Sequence, residues 1–301
     1  MIKQLDLFKL ILIFLIFETE AQLNGDPGSI IAVEVNKNFK DKEKMRRACR
    51  SAATVLDRLC AMVTPGMHTF EIDEAGGDLM KDMGIKSACK GYRSGHRVFP
   101  SYTCLSVNDE VVHGIGVREK VLREGDIISV DVCIREDGFI GDNCRTIPVG
   151  TISPEIEKLL RVTEESLFLG IEQAINKNRV GDVSHAVQNH VEKAGFAIIT
   201  NFVGHGVGRS LHEDPQIPNF GRSGTGVKFK KGMALCIEPM VNMKDPQIRM
   251  AEDGWTALAV DKLPSAHFEH TVLVDDGEAE ILTIPDGYEK AEKFFTEALS
   301  A

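Results

Sequence analysis

The sequence predicts an α+β fold built from two similar halves around an antiparallel sheet, and three observations carry that prediction. Two stretches each open with a pair of helical patterns and continue into extended runs. An Asp137-Gly138 dipeptide between two β-rich segments is a strong hairpin signal. Acidic residues recur inside apolar strands instead of gathering on a charged surface. Two copies of helix–turn–helix–strands imply layered halves with a site at their seam.

The first helix begins near Lys42. Met45, Cys49, Ala52, Val55 and Leu59 recur at helical spacing in "KEKMRRACRSAATVLDRLCAMV". "TPG" ends it, and Thr69 is expected to cap a second helix over about Phe70–Met83. "YTCLSV" and "DIISVDVCI" read as strands. The second half repeats the pattern. Ser153 caps a helix with Pro154 in its first turn. After a break at Val180-Gly181, Ser184 is expected to cap another that ends near Gly195. "FAIITNFV" then reads as a strand.

The chain has 301 residues, 43% of them hydrophobic and 27% charged, which suits a soluble globular protein. A net charge of −10 argues against a general nucleic-acid binder. Seven scattered cysteines form no C-x-x-C pair, which fits a reducing cytoplasm better than a disulfide framework. The N-terminal run "LFKLILIFLIF" is too short to span a bilayer comfortably and resembles the apolar region of a signal peptide. An interfacial anchor or an upstream-assigned start codon explains it equally well. Residues 1–40 are therefore set apart as an N-terminal extension, and 41–301 as the functional domain. The cytoplasm is the expected location, with secretion or membrane association through residues 1–22 as the alternative.

The hairpin can be counted outward from its turn. Glu136 pairs with Phe139, and Cys133 then faces Asp142. Asp131 lies two residues from Cys133 and points to the same face, so Asp131 and Asp142 are diagonal neighbours roughly 7–8 Å apart at Cα. Two carboxylates on an apolar hairpin face repel unless a cation lies between them. Glu238 in "MALCIEPM" and Glu269 in "SAHFEHTVLV" sit in similar apolar strands, with Thr271 as a hydrogen-bonding neighbour for Glu269. The glycine-rich segment "FVGHGVGRSLHE" adds His205 and His212. Four carboxylates and one imidazole, His205, make an oxygen-rich donor set suited to two ions such as Mn²⁺, Co²⁺ or Fe²⁺.

These motifs resemble the type I methionine aminopeptidases, which have the pita-bread fold. The resemblance runs over about residues 41–290 and rests on "VNDEVVHGIG", "DIISVDVCIREDGFIGDNCRTIPVG", "VGHGVGRSLHEDP", "ALCIEPMV" and "AHFEHTVLV" in the family's order. It implies a metalloaminopeptidase that removes N-terminal methionine before a small second residue, from peptides or nascent proteins. Asp131 would chelate one metal, Asp142 and Glu269 would bridge both, and His205 and Glu238 would complete the other. The metals would be two divalent ions among Co²⁺, Mn²⁺, Fe²⁺, Zn²⁺ and Ni²⁺, activating a shared water as hydroxide. Glu238 would shuttle the proton. His113 would contact the scissile amide and His212 the developing oxyanion. Cys104, Trp255 and Phe99 would line the methionine pocket, with Tyr92 and Leu211 as further candidates. The segment "CKGYRSGHRVFPSYTC" departs from the family pattern by a few extra residues, including Arg93 and Arg97. A monomer without a specific nucleic-acid partner is expected. Lys228, Lys230 and Lys231 in "VKFKKG" are a candidate ribosome contact, although a solvated turn explains them as well.

Three other readings compete. An Xaa-Pro aminopeptidase shares the fold and metal set but carries a sizeable N-terminal domain. A type II methionine enzyme needs a helical insertion, and His205 and Glu238 are only 33 residues apart. A non-catalytic pita-bread binding protein would have lost ligands that are all present here.

Overall fold

The computed structural model describes residues 39–291 and 293–295. The apolar run near the N-terminus lies outside them. Among the described residues no helix is long and apolar enough to cross a membrane.

The sheet is organised around the predicted hairpin. Strands Ile127–Glu136 and Phe139–Pro148 pair antiparallel over ten residues each, with Glu136 opposite Phe139 and Cys133 opposite Asp142, the register counted from the turn. Asp137 and Gly138 at the turn both have positive φ, which is the conformation a tight two-residue hairpin demands. Strand Glu269–Leu273 joins the hairpin's second arm, followed by Ala234–Ile237, Gly204–Gly206 and Glu213–Ile217. Strand Cys104–Val107 pairs with the first arm and sets Cys104 opposite Asp131.

Each half supplies its own helix pair, and each pair packs into a core of its own. Helix Phe39–Met62 buries Met45, Cys49, Ala52, Val55 and Leu59 against one side of the hairpin. Helices Pro154–Ile171 and Val180–Lys193 pack Leu160, Leu167, Val183 and Val187 against Leu235, Ile237 and Val272. The first core also takes Val207, Ala234, Cys236 and Leu273 from the second half, and Asp131, Asp142 and Glu269 fall on strands of the shared sheet.

Local details differ from the sequence reading at five points. The second helix spans Thr69–Asp82, one residue ahead of expectation. Its cap is His68, whose backbone N–H donates to Glu71 Oε2 at 2.8 Å, while Thr69 Oγ1 donates to the Val117 carbonyl. Ser184 is not a cap. It lies inside helix Val180–Lys193 and donates back to the Val180 carbonyl at 3.0 Å. Asp182 does the capping work instead, accepting from the Arg179 N–H at 2.8 Å. The "FAIITNFV" strand shortens to Ala197–Ile198, and Glu238 follows strand Ala234–Ile237 instead of lying in it. Ser153 caps its helix as expected, accepting from the Ile156 N–H.

Candidate metal centre

His205 owes its position to the glycines on either side. Strand Gly204–Gly206 is squeezed between two neighbours, with Cys236 opposite His205 and Ile217 opposite Gly204. A Cβ on Gly204 would collide with the Cys236 carbonyl, and one on Gly206 with the Asp214 carbonyl. Only glycines let the three strands close up and push the one side chain between them toward the carboxylates. The His205 ring then donates from Nδ1 to the Gly206 carbonyl at 2.9 Å. That bond leaves Nε2 with a free lone pair, as a metal ligand requires.

The five expected ligands converge. His205 Nε2 lies 3.4 Å from Glu238 Oε1 and 3.9 Å from Asp142 Oδ2. Donor atoms of Asp142, His205, Cys236 and Glu269 all fall within 4.8 Å of one another, and Asp131, Cys133 and Asp142 form a second such group. Asp142 belongs to both groups, the place a bridging carboxylate would occupy. Atoms bound to one ion at about 2.0–2.2 Å are at most about 4.4 Å apart, so small adjustments would gather either group.

Electrostatics favour a cation. Burial, reinforced by neighbouring carboxylates, raises Asp131, Asp142 and Glu269 well above the usual carboxylate range, and burial raises Glu238 likewise. Asp142 and Glu269 are each only 3% exposed, and Glu269 Oε1 has no hydrogen-bond partner among the described residues. Among the described residues no arginine or lysine is buried to offset these charges. The donor set therefore fits divalent ions. Burial also holds His205 neutral, with its pKa lowered to about 3.

Neutral imidazoles ring the carboxylates. His113 has φ of 59° and packs edge-on against Phe202. Burial lowers its pKa to about 4, assisted by His212 and His267. His212 remains solvent-accessible, with Tyr92 Oη 3.1 Å from its Nδ1 and the His205 ring 4.6 Å away between centroids. Its pKa is lowered as well, chiefly by desolvation. With the tyrosine hydroxyl as donor to Nδ1, the ring hydrogen is left on Nε2.

The expected pocket residues gather beside Asp131. Phe99 meets Trp255 edge-on at 5.3 Å between centroids, and Phe99 and Cys104 pack with Cys89, Cys133, Tyr92 and Leu211. The extra residues of this segment form a small hairpin, Arg93–Ser94 against Arg97–Val98. At its base the Phe99 N–H donates to the Tyr92 carbonyl and the Phe99 carbonyl accepts from the Gly91 N–H, and both rings pack in the pocket cluster. The Arg97 side chain ties this hairpin to the Gly254 carbonyl beside Trp255.

Three neighbours of the centre were not singled out in the sequence. Cys133 Sγ donates to Asp142 Oδ1 at 2.9 Å and approaches Asp131 Oδ1 at 3.4 Å. Cys236 is fully buried, and burial raises its thiol pKa well above the usual value, so it forms a neutral wall. His267 stands 3.7 Å from Glu238 Oε2 through Nε2. A period-two count reaches Cys133 from Asp131 within one strand, whereas Cys236 and His267 are each separated by a strand end from the acidic residue two positions on. Thr271, expected beside Glu269, instead donates to the Asp142 carbonyl at 2.7 Å and fixes the hairpin to the next strand.

The model for metallopeptidase family M24 matches residues 43–276. A methionine aminopeptidase of Clostridium perfringens is 44% identical over 249 residues, covering 82% of this chain and 98% of the relative. The solved structure of a methionine aminopeptidase from Thermotoga maritima superposes with a TM-score of 0.79 at 46% identity, covering 82% of this chain and 98% of that one. A prolidase from Pyrococcus furiosus gives a TM-score of 0.66 at 21% identity, a likeness of fold alone. The chain has the pita-bread fold and belongs to metallopeptidase family M24, in its methionine aminopeptidase branch.

Proposed function

We propose that this protein is a metal-dependent aminopeptidase that removes N-terminal methionine from peptides and nascent proteins whose second residue is small. The observation that carries the reading is the convergence of Asp131, Asp142, His205, Glu238 and Glu269 beside the pocket of Phe99, Cys104 and Trp255. Asp131, Asp142 and Glu269 would hold one ion, and Asp142, Glu269, His205 and Glu238 a second. Bound divalent ions supply activation of a water nucleophile near neutral pH and polarisation of the scissile carbonyl.

The chain's own residues carry the remaining steps. Glu238 accepts a proton from the attacking water at a carboxylate oxygen and returns it to the leaving amine. His212 donates from Nε2 toward the carbonyl oxygen as negative charge grows there. His113 donates toward the scissile amide. Cys104, Phe99 and Trp255 enclose an unbranched thioether, whose polarizable sulfur suits aromatic edges. A free α-amine at the acidic centre limits cleavage to the first residue.

Residues 41–301 form the catalytic domain in this reading, with 1–40 as an extension, and the protein acts as a cytoplasmic monomer. Ribosome contact through Lys228, Lys230 and Lys231 is weak at best, because Lys231 is already held by Asp275 and Asp276. The experiment is a metal-content measurement combined with turnover of a Met-Ala-Ser peptide in Mn²⁺ or Co²⁺. Release of free methionine that depends on metal supports the reading. Faster release of lysine from a Lys-Pro peptide would assign the protein to the proline-specific branch of the fold instead.

A further inference from the structure

His267 is 3% exposed, and its Nε2 has no hydrogen-bond partner among the described residues. A buried nitrogen left unpaired is rare in folded proteins and calls for an explanation. Nothing about the backbone forces it. The His267 N–H donates to Thr146 Oγ1 at 2.8 Å, and its carbonyl accepts from the same hydroxyl at 2.8 Å. His267 also faces Met240 in the Ser265–His267 and Met240–Asn242 strand pair. The main chain is therefore clamped on both sides, and the ring is aimed by design of the strand, not by slack.

The ring is aimed at Glu238. Nε2 lies 3.7 Å from Glu238 Oε2, while the other carboxylate oxygen, Oε1, lies 3.4 Å from His205 Nε2. The Glu238 carboxylate thus stands between two imidazoles. Its backbone carbonyl is fixed by Asn219 Nδ2 at 2.9 Å, so only the side chain can adjust. A normal N–H···O bond is about 2.7–3.2 Å, and a rotation that moves Oε2 by well under 1 Å closes the gap.

We propose that His267 is a positioning residue that donates a hydrogen bond from Nε2 to Glu238 Oε2, fixing the plane of the carboxylate that shuttles the proton. The assignment rests on the reading of Glu238 given above. His205 Nε2 must offer a lone pair, whereas His267 Nε2 must offer a hydrogen, so the two imidazoles play opposite parts on one carboxylate. Whether the ring is neutral or charged, Nε2 can carry that hydrogen.

The test uses the full-length protein and three variants. His267→Leu fills much of the space without a donor, His267→Ala removes both, and His267→Gln restores an N–H donor. Calorimetric titration of metal-stripped protein with Mn²⁺ gives affinity independently of substrate, and steady-state kinetics on Met-Ala-Ser separates kcat from KM. Loss of such a supporting partner typically costs about 10–100-fold in metal affinity or activity. His267→Leu and His267→Ala should lose kcat on that scale with KM nearly unchanged, and His267→Gln should recover most of it. Melting curves in chelator identify any variant that has lost its fold, and the Gln variant then decides against wild type. Full activity and affinity in the Leu or Ala variant would overturn the proposal. So would a folded Gln variant as impaired as Ala, which would make the imidazole nitrogen itself a ligand. Inactive wild type that still binds Mn²⁺ would count against the aminopeptidase reading, and the affinity series would still judge His267.

Discussion

Replacing Asp142 by asparagine should stabilise the metal-free protein and destabilise the metal-loaded one, and the reversal of sign is the useful part. Asp142 is 3% exposed and its donor atom lies within 4.8 Å of that of Glu269, which is equally buried. Two unit charges 4.8 Å apart at an effective dielectric of about 20 repel by about 3.5 kcal/mol. Sharing a proton relieves part of that, so removing one charge should raise metal-free stability by about 1–3 kcal/mol. A shift of about 2–4 °C in Tm for each kcal/mol is typical of domains approaching this size. Asparagine cannot bridge two cations, so the variant forfeits the stabilisation that ligand binding gives. Wild type gains about 2.7 kcal/mol when free metal reaches 100 times Kd. The assay is thermal melting at pH 8 of both proteins, first in EDTA and then across a Mn²⁺ series, with methionine release measured on the same samples. The reasoning fails if the variant melts below wild type in EDTA, or if Mn²⁺ raises both by the same amount.

Three further outcomes follow from the same site. Asp131→Asn and Glu238→Gln should each abolish turnover while the fold persists, because these carboxylates balance cation charge instead of filling core volume; near-normal turnover at saturating Mn²⁺ would remove either from the ligand set. His113→Ala and His212→Ala should lower kcat by about 10²–10³ while metal content stays at the wild-type level; metal loss in an elemental assay would place the affected histidine among the ligands. The pH dependence has a definite sign. Asp131, Asp142, Glu238 and Glu269 are all raised above ordinary values of 3.8 for aspartate and 4.5 for glutamate. The metal-free native state therefore binds more protons than the unfolded chain, and the stability these groups give is present in acid and lost as pH rises through the raised values. Bound metal removes that loss, so the gap in Tm between loaded and stripped protein should widen from pH 5 to pH 8; a gap that stays flat or narrows would refute the assignment.

The residues that were legible in the sequence were those fixed by a local count. Asp137-Gly138 set the turn, the period of two carried the register outward, and Asp131, Cys133 and Asp142 fell on one face as counted. The same count fails across a break in the strand. Glu238 lies one residue beyond its strand, and its partner His267 ends a strand of a different sheet, so neither position follows from alternation alone. Ser184 shows the limit for helices: a serine four residues into a helix satisfies its hydroxyl on the preceding turn, and nothing local distinguishes that from a cap. The pocket segment was opaque for a related reason. Whether Tyr92 or Phe99 faced the site depended on where the extra residues were looped out, which is settled by a hairpin and by the Arg97 contact to Gly254, a residue 157 positions away. The chemistry was readable wherever the residues that share a function also share a strand. It became unreadable where two strands from separate sheets each deliver one side chain to the same carboxylate. Glu238, faced by His205 from the central sheet and approached by His267 from the neighbouring one, is such a place, and it is also where the proton must move.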